Sequence, residues 1–377
     1  MKVVLAGGGT GGHFYPLIAI AQQLHNEAEK NNLAEMKLYY FSDSPYDITL
    51  LLKNNITFKK ISTGKLRIYF SLQNIIDIFK AGIGVFESLF LLFSIFPDVV
   101  VGKGGHASFP TIFAAKILGI PVIIHESDSY PGRVNLWAGK FAHKIAISYP
   151  EAGSFFPKEK TAWTGQPIRE EILSTIQEGG REYLKLTEDI PTILIMGGSQ
   201  GAEIINNVVL EALPDLVEKY QIIHQAGPKN LAMVEEVVRF VLAESPMKHR
   251  YKVFGTLNEL SMRMAAGISD LIISRAGSSL FEIASWKKPS ILIPISDSHG
   301  DHQRKNAFNY ARHGGCVVIE EPNLKPHLFI SEIQRIIKSE DIKKEIIQGA
   351  EKFFQPDAAQ KIASAIIMVG LLHEKKK

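Results

Sequence analysis

The chain has 377 residues, 46% of them hydrophobic and 21% charged; this ordinary globular composition excludes disorder, collagen-like repeats and a disulfide scaffold, and the length suggests about two domains. Lysine and arginine exceed aspartate and glutamate only as 42 against 39, too little for nucleic acid to be read as a partner. The single cysteine, Cys316, permits no internal disulfide and no cysteine-rich metal site, which fits a reducing compartment such as the cytoplasm.

In chain order, Lys2-Val3-Val4-Leu5-Ala6 runs straight into glycines, without the longer apolar region of a signal peptide. Short β-branched runs then alternate with amphipathic stretches: Lys37 to Tyr40, Asp98 to Val101, Pro121 to Ile124 and Lys144 to Ile147. These predict buried parallel strands joined by helices. The same grammar restarts with Thr192 to Met196, Gln221 to His224, Tyr251 to Phe254, Asp270 to Ile273 and Ser290 to Ile293. Two doubly wound α/β domains are therefore expected, 1–163 and 164–355, with the turn residues of Thr164-Gly165-Gln166-Pro167 at the boundary. The tail 356–377 reads as a helix returning to the first domain.

Within the first set, just before Asp98 to Val101, lies the most lipid-like stretch. Ala81 to Phe96 is interrupted by Glu87 and keeps too few uncharged residues in a row to span a bilayer, so no crossing is predicted. Ile75, Ile76, Phe79, Ile83, Phe86, Phe90 and Phe93 recur at helical spacing, and Ile78, Val85, Leu89, Leu91 and Leu92 thicken the stripe beyond one core face. With Lys65, Arg67 and Lys80 nearby, Ile75 to Phe96 reads as an interfacial segment on an anionic membrane surface. Buried core is the competing reading, and Gly82 and Gly84 argue against one continuous helix.

Four glycine- or serine-rich loops follow predicted strands: Gly7 to His13, Gly102 to Ser108, Gly197 to Ala202 and Ser274 to Ser279. At the carboxyl ends of a parallel sheet such loops let backbone N–H groups meet an anion at a helix N-terminus. Each alone is equally a tight turn; four together favour phosphate. Gly7, Gly9 and Gly12 also satisfy the dinucleotide pattern, but the ribose-binding acid about 20 residues on is missing, so a dehydrogenase stays second. A P-loop kinase lacks Gly-Lys-Ser/Thr, and a hydrolase lacks the nucleophile elbow.

Polar residues cluster beside these loops: His13, His106, and His125-Glu126-Ser127-Asp128 in the first half. In the second half Glu282 follows the Arg275 loop, and Gln303 and Asn306, three apart on one helix face, present amides suited to sugar hydroxyls. Asp301 also reads as a helix N-cap. Asp297 to His302 holds oxygen and nitrogen ligands without a complete metal-site spacing, so no metal is expected.

Taken together, Gly8-Gly9-Thr10-Gly11-Gly12-His13, Gly104-Gly105-His106-Ala107-Ser108, His125-Glu126, Gly165-Gln166-Pro167-Ile168-Arg169, Gly197-Gly198-Ser199-Gln200-Gly201-Ala202, Ser274-Arg275-Ala276-Gly277 with Glu282, and Asp301-His302-Gln303 with Asn306-Ala307 resemble the MurG family of glycosyltransferase family 28. These are bacterial enzymes that add N-acetylglucosamine to lipid-linked N-acetylmuramyl-pentapeptide. The resemblance implies a GT-B fold, two Rossmann-like domains facing a central cleft, with UDP-GlcNAc on the C-terminal domain and the polyprenyl-diphosphate-linked muramyl peptide on the N-terminal one. It implies inverting, metal-independent hexosyl transfer in peptidoglycan synthesis, at the cytoplasmic face of the membrane. By that similarity Thr10, Gly11, Gly12 and His106 belong to the acceptor side, Glu282 binds the ribose, and Arg169 with Phe254, Gly255 and the backbone to Leu257 meets the uracil. Ser199, Gln200, Ser278 and Ser279 surround the diphosphate, and Gln303 and Asn306 face the sugar. His13 is the candidate base, because imidazole titrates near working pH, with Asp128 and Glu126 as rivals. A UDP-GlcNAc epimerase and a non-catalytic nucleotide-sugar-binding module are the alternatives on the same fold. Three departures stand out: Ser127-Asp128 replaces the family's usual Gln-Asn, His106 replaces a Tyr, and the loop from Arg275 to Glu282 is a residue short.

Overall fold

The computed structural model describes residues 1–31, 33, 35–65, 72–186, 189–198, 201–296 and 301–374. The chain divides into two compact units, Met1–Glu170 with Gln355–Lys377, and Glu171–Phe354.

The first unit's strands are β1 (Lys2–Ala6), β2 (Lys37–Ser42), β3 (Ile56–Lys60), β4 (Val99–Gly102), β5 (Val122–Glu126), β6 (Lys144–Ile147) and β7 (Thr161–Trp163). They form one seven-stranded parallel sheet in the order β3-β2-β1-β4-β5-β6-β7. Alternate residues feed opposite cores. Val3, Leu5, Val99 and Val101 pack with Leu17, Ile20 and Leu24 of helix Gly11–Lys30, while Val4, Val100, Val122 and Ile124 pack with Ile112 and Ala115 of helix Phe109–Ile117. Burial on both faces is why these strands read as unbroken β-branched runs.

The second unit repeats the plan with β8 (Thr192–Met196), β9 (Gln221–Gln225), β10 (Tyr251–Phe254), β11 (Leu271–Ser274), β12 (Ser290–Leu292) and β13 (Val317–Val318). Its six strands run β10-β9-β8-β11-β12-β13. Each sheet thus has a topological switch point, at β1/β4 and at β8/β11, where ligand crevices form in doubly wound folds. The two units even share a brace: Asp98 Oδ2 accepts the Lys2 amide at 2.8 Å, and Asp270 Oδ2 accepts the Thr192 amide at 2.8 Å.

Three strands escape the sequence pattern, β3, β7 and β13. They lie at sheet edges, and β7 and β13 have only three and two residues. The first unit also continues beyond the expected boundary at Trp163 to Glu170. The reason is Gln166, buried at 4% exposure, whose Oε1 accepts the Ser127 and Ser148 hydroxyls, each at 2.8 Å. Helix Ala358–Glu374 lies in this unit too, placing Ile362, Ala363, Ile366 and Ile367 in the core beside β1. Glu27 secures it by accepting Gln360 Nε2 at 3.2 Å and Ser364 Oγ at 3.0 Å.

The lipid-like stretch is a single continuous helix, Leu72–Ile95, contrary to the break expected at Gly82 and Gly84. Gly84 serves close packing, since a Cβ there would overlap the Ser62 carbonyl. Glu87, whose charge argued against a long apolar element, turns back to accept the Ser62 amide at 2.5 Å and the Ser62 hydroxyl at 3.1 Å. By length and composition alone Gln73–Ile95 is apolar enough to cross a membrane, a longer apolar element than the run of uncharged residues suggested. A narrow seam of Gly84, Ser88 and Leu92 fixes it to the unit, with Ser88 Oγ 3.4 Å from Thr111 Oγ1. Opposite this seam Phe79, Phe86, Phe90 and Phe93 are each at least 70% exposed. Buried core is therefore ruled out for that face.

Candidate functional site

Each unit carries a constellation at its own switch point. In the first, helix Gly11–Lys30 begins within the first glycine loop, with Thr10 as N-cap. The Thr10 hydroxyl is spent on the His13 ring, at 2.9 Å from Nδ1. The two loops interlock through their histidines. The His13 ring lies where a Cβ on Gly105 would approach Nε2 to 3.2 Å, and the His106 ring lies where a Cβ on Gly9 would approach Cε1 to 3.2 Å. Both glycines have positive φ, 73° and 82°, so no other residue fits the turn and the ring together.

Beside them Lys103, only 2% exposed, donates from Nζ to Ser127 Oγ. Burial brings this ammonium down to about 8, and the nearby Glu126 and Asp128 carboxylates oppose that fall. His13 is pushed down to about 4, first by burial, then by the Lys103 charge, against the pull of Asp128. The imidazole is therefore neutral at working pH, and a weaker proton acceptor than an exposed histidine. Burial also lowers His106.

Glu126 faces another task. Its Oε1 accepts the Asp128 amide at 3.0 Å, and its Oε2 accepts the Gly132 amide and Asn135 Nδ2, both at 2.9 Å. Burial and the Asp128 charge raise its pKa. It shapes the turn that presents Asp128. His125 is fully buried, with Nε2 3.2 Å from both the Gly165 carbonyl and Ser148 Oγ. Arg169 belongs to the first unit, its guanidinium 4.3 Å over the Tyr15 ring.

In the second unit, Ser278 is the N-cap of helix Ser279–Trp286 by position only, without a side-chain cap hydrogen bond, and the Ser279 hydroxyl lies 3.4 Å from that of Ser274 at the end of β11. Glu282 sits in the helix's first turn, half-buried. Arg275 is not turned toward this N-terminus: it donates to the Ile293 carbonyl at 3.0 Å and pairs with Glu321 at 2.7 Å. Gly198 and Gly201 adopt positive φ, 82° and 79°; Ser199 and Gln200 between them lie outside the described residues, as do Asp297 to Gly300 and Arg67. After β10, the Phe254 carbonyl accepts the Ala226 amide at 3.0 Å and the Leu257 amide donates to Gln225 Oε1 at 3.1 Å. Gly255 and Thr256 supply the remaining main chain of that turn. Gln303 accepts the Ile295 amide at 3.2 Å, whereas Asn306 is 2% exposed, facing inward. Asp301 is the N-cap of helix His302–Arg312 by position, yet its side chain makes no cap hydrogen bond and pairs with Arg304 at 3.4 Å.

Two features had no signal in the sequence. One is the burial of Lys103, a residue type that is nearly always exposed. The other is a closed network in which His224 Nδ1 meets Tyr251 OH at 2.7 Å and Nε2 meets Asn206 Oδ1 at 3.0 Å. A cavity of about 430 Å³ bordered by Arg181, Asp270 and Lys288 lies at the amino ends of the second sheet, the side doubly wound folds do not use for ligands.

Two Rossmann-like domains, each with a glycine loop and a helix N-terminus at its switch point, are the architecture of the GT-B class of nucleotide-sugar enzymes. Residues 3–147 match the glycosyltransferase family 28 N-terminal domain and residues 192–362 its C-terminal domain. A UDP-N-acetylglucosamine–N-acetylmuramyl-(pentapeptide) pyrophosphoryl-undecaprenol N-acetylglucosamine transferase 2 from Bacillus cereus is 36% identical over 97% of this chain and 99% of its own length. The corresponding transferase of Clostridium kluyveri is 35% identical over 97% and 98%. Among solved structures, Acinetobacter baumannii MurG superposes with a TM-score of 0.74 at 25% identity, covering 97% of this chain and 99% of its own. The chain belongs to glycosyltransferase family 28, in its MurG branch. A UDP-bound MnaA from S. aureus superposes with a TM-score of 0.70 at 16% identity, covering 97% and 96% of the two chains, which shows shared fold alone.

Proposed function

We infer that this protein is a hexosyltransferase that moves N-acetylglucosamine from UDP-GlcNAc to the C4 hydroxyl of lipid-linked N-acetylmuramyl-pentapeptide, inverting the anomeric centre. The carrying observation is whole-length similarity to transferases of that name, at 36% identity, together with a glycine-loop switch point in each unit. Negative charge grows on the departing diphosphate. The N-terminus of helix Ser279–Trp286, with Ser278 and Ser279, is suited to stabilise it by oriented N–H groups. Glu282 is assigned to the ribose hydroxyls, Arg169 with the main chain from Phe254 to Leu257 to the uracil, and Gln303 and Asn306 to the sugar.

On the acceptor side His13 takes the hydroxyl proton, with Asp128 as the rival; Glu126 holds the turn. No metal is assigned a role, so chelation is expected to leave turnover unchanged. The exposed face of Leu72–Ile95, with the exposed Lys65 and Lys80, supports peripheral docking on an anionic membrane at the cytoplasmic face, where the lipid acceptor is met. Incubation with labelled UDP-GlcNAc, with and without a short-chain lipid-linked muramyl peptide, tests the reading. Label must enter the acceptor, and UDP must be released only in its presence. Consumption of UDP-GlcNAc without acceptor would instead indicate an epimerase.

A further inference from the structure

We propose that Lys103 is a positioning residue for the acceptor half of the reaction: clamped on Ser127 beside the His13 loop, its ammonium adds to the charge acting on His13 and fixes the placement of the groups that meet the acceptor hydroxyl. The proposal rests on the transferase reading above and adds a residue to it.

Lys103 follows Gly102, the last residue of β4, and Ser127 follows Glu126, the last residue of the neighbouring β5. The ammonium donates to Ser127 Oγ, and Ser127 Oγ donates to Gln166 Oε1 at 2.8 Å. Ser148 reaches the same Gln166 oxygen at 2.8 Å and the His125 ring at 3.2 Å. This chain of bonds fixes the ammonium and immobilises the turn that carries Asp128. A buried ammonium persists only with compensating charge, and Glu126 and Asp128 provide it. Glu126 has both oxygens committed to the turn, and Asp128 is the second carboxylate whose charge acts on the Lys103 ammonium.

The groups facing His13 are Lys103 and His106 from the second glycine loop and Asp128 from the turn after β5; His125, on β5, also feels Lys103. Lys103 and His106 oppose protonation of His13 and Asp128 favours it. The sequence departure at Ser127-Asp128 is thus matched by a buried cation: the extra carboxylate comes with its counter-charge.

The test uses full-length protein as wild type, K103M, K103R, D128N and K103M/D128N. Melting curves and UDP binding serve as controls for folding. The His13 ring is titrated by histidine-selective NMR, and acceptor and donor kinetics are measured across pH. In K103M the His13 midpoint is expected to rise by about one pH unit, the scale of a single nearby charge. It should stay put in K103R, fall in D128N, and lie between the two single variants in K103M/D128N. For K103M, kcat/KM for the acceptor falls by roughly 10- to 100-fold, its acid limb moves upward, and the donor KM is unchanged. A folded K103M with a wild-type His13 titration and acceptor pH profile overturns the proposal. If K103M does not fold, an unmoved His13 midpoint in D128N does the same. Wild-type protein that transfers nothing to the acceptor would remove the transferase reading and the acceptor role, while the NMR shift still decides whether Lys103 sets the charge on His13.

Discussion

His13 sits where burial and Lys103 hold it to about 4, so a base of this kind is available over almost the whole physiological range. If it accepts the acceptor proton, kcat/KM should stay flat from neutrality downward and bend only near pH 4 to 5. A limb at 6.5 would point to another group. His13→Ala should lower kcat by roughly 10²- to 10⁴-fold with little change in UDP-GlcNAc affinity. Glu282→Ala should act the opposite way, raising donor KM while leaving kcat near normal; an unmoved KM would refute the ribose assignment. Much of this was legible in the sequence, because histidines beside glycine loops at strand ends read as functional. Lys103 was not: nothing in Gly-Lys-Gly-Gly announces that its ammonium points inward to a serine on the next strand. The stacking of Arg169 on Tyr15 was not legible either, since the two residues are far apart in sequence.

At the level of elements, helix Leu72–Ile95 has two faces with different jobs. Replacing Phe86 and Phe90, 75% and 74% exposed, by Asp should abolish sedimentation with anionic vesicles and leave the melting temperature almost unchanged. Leu92→Ala, in the seam, should cost about 2–5 kcal/mol instead. The strand core was readable because two buried faces demand β-branched runs. Edge strands β3, β7 and β13 were not, since short, half-covered segments carry no such demand. The His224 network links three separated segments and left no pattern either. Its consequence is acid sensitivity. Burial holds folded His224 at about 3 against an ordinary 6.5. Between those values the unfolded chain binds the extra proton, so stability is complete above about pH 6.5 and falls as the solution is acidified, by up to about 1.4 kcal/mol per pH unit. His224→Gln should flatten that part of the stability curve, even if its plateau is lower.

For the whole molecule, the decisive arrangement is a first unit built from both ends of the chain. Ile362, Ile366 and Ile367 together contribute roughly 5–9 kcal/mol at about 1.5–3 kcal/mol each, a large part of a typical domain's stability. Deleting Ala358–Glu374 should therefore unfold the first unit, seen as loss of its share of the melting enthalpy and as aggregation. Doubly wound architecture, repeated twice, was plain from the alternation of strands and helices. The seam between units was harder to read: the turn residues at 164–167 mark a boundary in pattern, whereas Gln166 ties them to the strands before them.

That same returning helix sets an order of events during synthesis. A nascent chain emerging from the ribosome releases β1 well before helix Ala358–Glu374, so the β1 face cannot be sealed until that helix has left the exit tunnel. The middle segment, Glu171–Phe354, is by then fully extruded and free to mature. The usual amino-to-carboxyl sequence of domain completion is inverted, and the exposed phenylalanines emerge on a domain still waiting for helix Ala358–Glu374.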